Sequence, residues 1–294
     1  FKSQAINQHY NLNITGGGTV VRYYMSLSYD KDQGILKDNR LNNFKNNIDI
    51  DRFNLLTNIT MDLTPTTKLD INMNSIFENY TGPVDNTTDI FSSVVNSNPV
   101  EFPKFYLPDK EHVYVKHTLF GSDATGSMPN PFAQMVRGYK DGSSSRITSQ
   151  FSFDQDLKAL TEGLRAKAKV SIKSDSYSES KRSYDPYLYN IKSYDEFTDT
   201  YILQEVHRGT DALGDPEPWR DGIFRIYLEG GLTYSQKFND THDISGLLIY
   251  TQEEIKNTSG NVGPIQQTLP QRLQGIRARV NYGFKDKYLA ELSL

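Results

Sequence analysis

Apolar and polar side chains alternate over long stretches of this chain. In 52–63 the apolar phase runs Phe53, Leu55, Ile59, Met61 and Leu63, with Arg52, Asn54, Asn58 and Asp62 between them. Segments 68–78, 164–173, 224–238 and 276–285 repeat the pattern. Period two sends successive side chains to opposite faces of an extended strand, so each segment predicts a β-strand with one apolar and one polar face. No apolar-phase position in the five segments is charged, whereas about half of the opposite phase is. One face must therefore exclude charge. The core of a soluble sandwich meets that demand. So does a lipid-facing wall, where a midplane charge costs about 2–4 kcal/mol.

Three features favour lipid. The alternation holds for about ten residues or more, the length that crosses a bilayer when tilted, against about five or six in an ordinary globular strand. The charge-free face is small at mid-strand, with Ala166, Ala168, Gly230 and Ala278. A sandwich core needs bulk there, whereas lipid chains fill any gap. Aromatics gather near strand ends, at Tyr10, Tyr23, Phe77, Tyr80, Phe151, Phe153, Phe238, Tyr282, Phe284 and Tyr288, as in the girdles of membrane barrels.

Strands are expected near 8–15, 20–30, 47–63, 67–79, 145–158, 162–178, 197–208, 222–238, 241–256 and 273–294, the last a hairpin or its first half. Short connectors (15–19, 64–67, 158–163, 238–243, 284–287) alternate with long ones (about 30–46, 80–146, 175–222, 255–272), the layout of a membrane barrel. The fold class expected is all-β: a transmembrane antiparallel β-barrel wall of about ten strands with long extracellular loops. The 80–146 loop carries Pro83, Pro99, Pro103, Pro108, Pro129 and Pro131 and is read as a folded cap. Within it, 88–96 predicts a short helix capped by Thr88 or Asp89.

Composition narrows the function. Hydrophobic residues make up 36% and aromatics 12%, so the chain is neither richly apolar nor of the aromatic-poor disordered class. The net charge of −4 gives no electrostatic case for nucleic acid. With no cysteine, disulfides, thiolate metal sites and a cysteine nucleophile are excluded. No run of about 18 apolar residues predicts a membrane helix. Both ends of the sequence lie in patterned material and read as cuts in a longer chain.

Several stretches, in order, resemble a known family. They are Gln8-His9-Tyr10-Asn11-Leu12-Asn13-Ile14-Thr15-Gly16-Gly17, then Tyr23-Tyr24-Met25-Ser26-Leu27-Ser28-Tyr29 with Gly34. Asn98-Pro99-Val100-Glu101-Phe102-Pro103 follows, then Gly126-Ser127-Met128-Pro129-Asn130-Pro131-Phe132-Ala133-Gln134 running on to Arg137-Gly138-Tyr139. The last is Leu269-Pro270-Gln271-Arg272-Leu273-Gln274-Gly275-Ile276, continuing through Tyr282-Gly283-Phe284-Lys285-Asp286-Lys287-Tyr288-Leu289. These are similar to barrel strands and loops of the SusC/RagA family, TonB-dependent outer-membrane importers of Bacteroidetes. The resemblance covers most of the chain and is weakest across 175–222. It implies residues 1–294 are part of a receptor barrel of about 22 strands, with the plug domain and the C-terminal barrel strands absent from this sequence. It further implies uptake of a glycan oligomer or a peptide, a SusD-like surface lipoprotein as lid, energy from the TonB complex through the missing plug, and residence in outer-membrane lipid. No cofactor, metal or enzymatic activity is implied.

The residues themselves offer ligand candidates. Loop aromatics Phe105, Tyr106, Tyr114, Tyr184, Tyr187, Tyr189 and Trp219 present faces on which sugar rings stack; Phe105, Tyr106, Tyr114, Tyr187 and Trp219 are the substrate-binding set. Arg165, Lys167, Lys169, Arg225, Glu229, Arg277 and Arg279 fall on the polar phase and are expected to face the lumen, the basic run paired with acids on neighbouring strands. Asp154 and Asp156 share that phase and read as lumen-facing. His112 and His117 lie five apart, a spacing that suits neither helix nor strand ligation. Asp211, Asp215, Glu217 and Asp221 offer oxygen ligands for Ca²⁺ without an ordered spacing and read as a charged external loop. Two other classes stay open at this point: a surface adhesin or glycan-binding β-protein without transport, and a soluble β-sandwich binding module.

Overall fold

A computed structural model of the chain describes residues 1–37, 41–128, 130–260, 269–285 and 287–294. Ten strands form one antiparallel sheet: β1 (Gln8–Gly17), β2 (Val21–Gln33), β3 (Asp49–Thr64), β4 (Thr67–Gly82), β6 (Gly138–Asp156), β7 (Leu164–Ser183), β10 (Glu217–Phe238), β11 (His242–Asn257), β12 (Gln271–Phe284) and β13 (Tyr288–Ser293). They pair in chain order, and β1 and β13 are its two edges. A separate three-stranded sheet contains β5 (Phe120–Gly121), β8 (Leu188–Asp195) and β9 (Thr200–His207). Two helices, α1 (Thr87–Asn96) and α2 (Pro131–Val136), lie between β4 and β6.

The register puts every apolar phase on one face. Tyr10, Tyr29, Phe53 and Phe77 stand opposite one another across β1–β4. Leu69 faces Phe153, Phe153 faces Ala168, Ala168 faces Gly230, Gly230 faces Tyr250, and Tyr250 faces Ile276. Many of the large members are exposed, including Leu12, Leu27, Leu55, Leu232, Leu248 and Val280. No second layer covers this face among the described residues. The fully buried apolar side chains, such as Ile90, Phe120, Val136, Tyr189 and Leu203, lie outside the ten-stranded sheet. A soluble sandwich would hold its core between sheets, so that alternative falls.

The apolar band has edges. Where the long loops begin, the same face turns charged. Lys31 lies 3.0 Å from both Asp49 and Asp51, Thr81 donates to Asp141 over 2.7 Å, and Glu254 holds Arg272 at 2.7 Å and Lys256 at 2.9 Å. Phe53 to Leu63 on β3 spans the band. At roughly 3.3 Å per residue and a tilt of about 40°, it projects to ~25 Å, the height of a barrel's lipid-facing belt. Tyr10, Tyr29, Phe53 and Phe77 ring the loop end; Phe238, Tyr282, Phe284 and Tyr288 ring the turn end.

Several expectations need correction. The 197–208 segment is not a wall strand: its 200–207 part is β9, which pairs with β8 in the smaller sheet. Its apolar residues Ile202 and Leu203 are adjacent rather than alternating, and Leu203 packs into the cap. The 273–294 segment is a complete hairpin, so the wall still has ten strands. Strands β6, β7 and β10 run further into the loop end than the apolar alternation does, because serines and charges there extend the ladder above the apolar band. The α1 cap position belongs to Asn86 and not to Thr88 or Asp89, and the Asn86 side chain makes no capping hydrogen bond. Tyr80 lies on the polar face, outside either girdle, because it shares the phase of Lys68, Asp70 and Glu78. Tight turns close the other end. Gly163 has φ +80°, and a Cβ there would lie 2.0 Å from the Ser235 carbonyl oxygen. Pro129 and Asp286 of the family-like motifs, and much of the 255–272 loop, lie outside the described residues.

Candidate functional site

The polar face carries charge in pairs. Lys167 meets Asp154 at 3.3 Å and Lys169 meets Glu229 at 4.0 Å. Lys173 and Arg146 share Asp175 at 2.9 and 3.0 Å, and Arg225 lies 3.4 Å from Glu253. Arg165, Arg277 and Arg279 share this face and make no ion pair among the described residues. The expected pairing of the basic run with acids on adjacent strands thus describes its middle and not its end. These contacts are partly exposed, worth about 0–1 kcal/mol each; they balance charge on a wet surface more than they hold the sheet together.

Near the loop end, four strands place one row of residues side by side: Tyr80 on β4, Gly142 on β6, Glu179 on β7 and Trp219 on β10. Trp219 was expected in a loop. It is a strand residue because β7 and β10 keep their ladder to Lys181 and Glu217. Its indole meets the Tyr177 ring edge-on, with centroids 5.4 Å apart at 62°. The Tyr177 hydroxyl donates to Glu179. Lys140 sits 3.6 Å from Glu179 and 5.4 Å from the Tyr80 ring centroid. Gly142 leaves the middle of the row open, with the Tyr177 hydroxyl lying over it. The result is an aromatic shelf with a carboxylate and an ammonium beside it, and Trp219 is 44% exposed. Sequence reasoning found Trp219 but missed Tyr80, Lys140, Tyr177 and Glu179. Alternation continued past 173 would have placed Tyr177 and Glu179 with Arg165.

The cap brings two of the other candidates to one cluster. Tyr106 and Tyr187 pack around the buried cluster of Leu119, Tyr189 and Leu203. The Tyr187 ring stacks on His117 with centroids 3.6 Å apart. Phe105 lies by Lys104, and Tyr114 is 95% exposed. Two of the five thus serve the cap core, and only Trp219 joins a shelf.

The histidines are tied into the cap. His112 Nδ1 lies 2.6 Å from Asp109 Oδ1, and Asp109 also accepts from the Leu203 amide at 2.7 Å. Burial pushes the Asp109 carboxyl up, but these bonds outweigh it and hold it below the usual range. His117 Nε2 is 2.9 Å from the Tyr189 hydroxyl. Burial lowers the His117 imidazole below its ordinary value, against the opposing pull of Asp211 and Glu205. Burial first, and Glu205 second, push Tyr189 up to about 12. The acids considered for Ca²⁺ are dispersed: Asp211 is near His117 at 3.7 Å, Glu217 near Lys181 at 3.0 Å, and Asp221 takes Ser259. No cluster of three metal-ligating side chains occurs among the described residues.

One residue of the motif region organises this cap. Asn130 accepts from the amides of Phe132 and Ala133 at 2.9 and 3.0 Å, capping α2. Its amide donates to the carbonyls of Pro103 and Gly121 at 2.9 and 2.7 Å.

No family model matches the chain, and comparison with curated proteins returns no match. Among solved structures, the RagAB peptide transporter superimposes with a TM-score of 0.50 at 13% identity, over 98% of this chain and 31% of that one. The RagAB peptide importer in its closed-closed state gives 0.47 at 14% identity, again over 98% and 31%. The closed form of the ferric-catecholate import receptor Fiu of E. coli K12 gives 0.40 at 9%, over 98% and 38%. The chain therefore spans about a third of the length of these proteins. The first likeness establishes the fold: a ten-stranded antiparallel portion of a transmembrane-type β-barrel wall, with its long loops at one end.

Proposed function

We propose that this chain forms part of the wall and outer cap of a TonB-dependent outer-membrane importer of the SusC/RagA type. It is not an enzyme in this reading. The observation that carries the proposal is the one-sided apolar belt, about 25 Å tall, bounded by charge at the loop end and backed by a face of paired charges. Such a belt suits hydrocarbon on one side and water on the other. The polar face, with Arg165, Lys167, Lys169, Arg225, Glu229, Arg277 and Arg279, lines the lumen. Strands β1 and β13 are open edges, and unpaired edges demand partners; further strands complete the wall, and a plug outside these residues receives the TonB complex.

The cargo is an oligomer, a glycan or a peptide, and a SusD-like lipoprotein covers the cap. The shelf of Trp219, Tyr177, Glu179 and Lys140 supports this reading. It offers a ring face, a carboxylate and an ammonium at the mouth of the pore. Spin or fluorescent labels test the belt in the membrane-inserted protein. Labels at Ala166 and Ala278 should sense lipid and those at Lys167 and Arg279 water. Lipid contact at Lys167, or water at both alanines, rejects the wall. Uptake of a single labelled oligomer by cells, lost when the TonB complex is removed, separates importer from adhesin.

A further inference from the structure

We infer that the apolar cleft between α1 and α2 binds an organic anion with an apolar body, its carboxylate held by Lys37 and Lys104. The cleft encloses about 530 Å³, within the roughly 300–1,000 Å³ usual for small-molecule sites. Leu36, Ile90 and Phe102 are buried apolar side chains of its lining; Val94 and Phe132 are more open members. Its volume suits an aromatic ring or a short alkyl chain.

Charge selects the rest of the ligand. Lys37 and Lys104 are the charged side chains lining the cleft, and no carboxylate lines it among the described residues. This one-sidedness occurs in a chain with 36 acids and 32 bases. It also departs from the habit of the wall, where Lys31, Lys167, Lys173 and Lys181 each meet an acid. Neither cleft lysine has an ion pair among the described residues. The Lys104 ammonium instead lies 4.2 Å from the centroid of Phe132, itself part of the cleft wall. A cation against a ring keeps its charge while giving up part of its water, which prepares it for an anion. Asn130 lines the cleft too, but both ends of its amide are already bonded. A neutral sugar would lay hydroxyls on Ile90, Val94 and Phe102 without partners, which is costly. A carboxylate on an apolar body satisfies both parts. Two sources share that chemistry: a free aromatic or fatty acid, and the C-terminal residue of a peptide ending in an apolar side chain. The inference stands apart from the import reading.

The test is calorimetric titration of the protein in phospholipid nanodiscs with N-acetylphenylalanine, its uncharged amide, and the tripeptide Gly-Gly-Phe. The acid should bind at least about tenfold more tightly than the amide, as expected for a charge-assisted bond. Lys104→Met should weaken it by a similar factor, and Lys104→Arg, which keeps the charge and the ring contact, should restore it. Val94→Trp, which fills the cleft, should abolish binding. Tighter binding of the tripeptide assigns the site to peptide ends, and tighter binding of the amino acid to free acids; either supports the anion site. Equal affinity for acid and amide, no binding of either acid, a loss in Lys104→Met that Lys104→Arg shares, or full binding in Val94→Trp overturns it.

Discussion

The amide of Asn130 donates to the carbonyl oxygen of Gly121 over 2.7 Å, joining the first turn of α2 to β5 inside the cap. The same side chain ties down Pro103 and caps two helix amides. Asn130→Ala removes all four bonds. The lost cap costs about 1 kcal/mol, and the Gly121 carbonyl left without Asn130 adds about 1–3 kcal/mol; the Pro103 carbonyl still accepts from the Gly121 amide at 3.3 Å. Amide exchange in α2, β5 and the 100–106 loop should rise about a hundredfold, while β2, β3 and β10 stay protected. Equal loosening of cap and wall would refute this division of labour.

The belt gives the second prediction. Ala278 stands opposite Leu248 in the middle of the apolar face. Ala278→Arg should destabilise the membrane-inserted protein by about 2–4 kcal/mol. Lys167→Ala, one residue type away in kind but on the other face, should cost under about 1 kcal/mol. Denaturant unfolding from lipid vesicles measures both. Comparable costs would mean that both faces see the same solvent.

Much of the wall was legible because its signal is carried residue by residue. Phe53, Leu55, Ile59 and Met61 repeat a choice that a single solvent boundary imposes, so phase and face follow without tertiary information. The cap was not legible in that way. Ile202 and Leu203 are neighbours in sequence, but Leu203 is buried against Leu119 and Tyr189 and gives its amide to Asp109, 94 positions away, whereas Ile202 is exposed. Periodicity cannot report such contacts, and β9 was accordingly misplaced in the wall. Trp219 failed for a third reason. The proline-flanked Pro216 and Pro218 look like loop punctuation, yet Pro218 sits on the ladder opposite Ser180, where a strand above the bilayer tolerates it. The shelf was half legible: its aromatic was found, and its partners on β4, β6 and β7 required the register.

Trp219 is the single tryptophan of the chain, so its fluorescence reports the shelf directly. It should be quenched by aqueous iodide and spared by brominated lipids. Transported oligomer should shift its emission. Trp219→Ala, or Tyr177→Ala with the indole kept, should weaken oligomer uptake by up to about tenfold, the scale of one lost aromatic contact. Quenching by brominated lipid would place the indole on the wrong face and remove the shelf from the pore.

Acid should loosen the cap before it touches the wall. Burial holds His117 below its unfolded value of 6.5, so the unfolded cap takes up that proton first. The stability due to neutral His117 is complete above about pH 6.5 and falls as the pH drops from there toward the lower folded value. Asp109 works in a separate window. Its folded carboxyl lies below its ordinary 3.8, so its contribution is present above that value and is lost as the pH falls further. Limited proteolysis of the cap across pH 7 to 3 should therefore show two steps. His117→Phe keeps the stacked ring against Tyr187 and should erase the upper step alone. Asp109→Asn should remove the lower one, at the cost of a looser β9 at every pH, because the charged acceptor for the Leu203 amide is gone. A single step in the unaltered protein, or an upper step that survives His117→Phe, would assign the acid response to other groups.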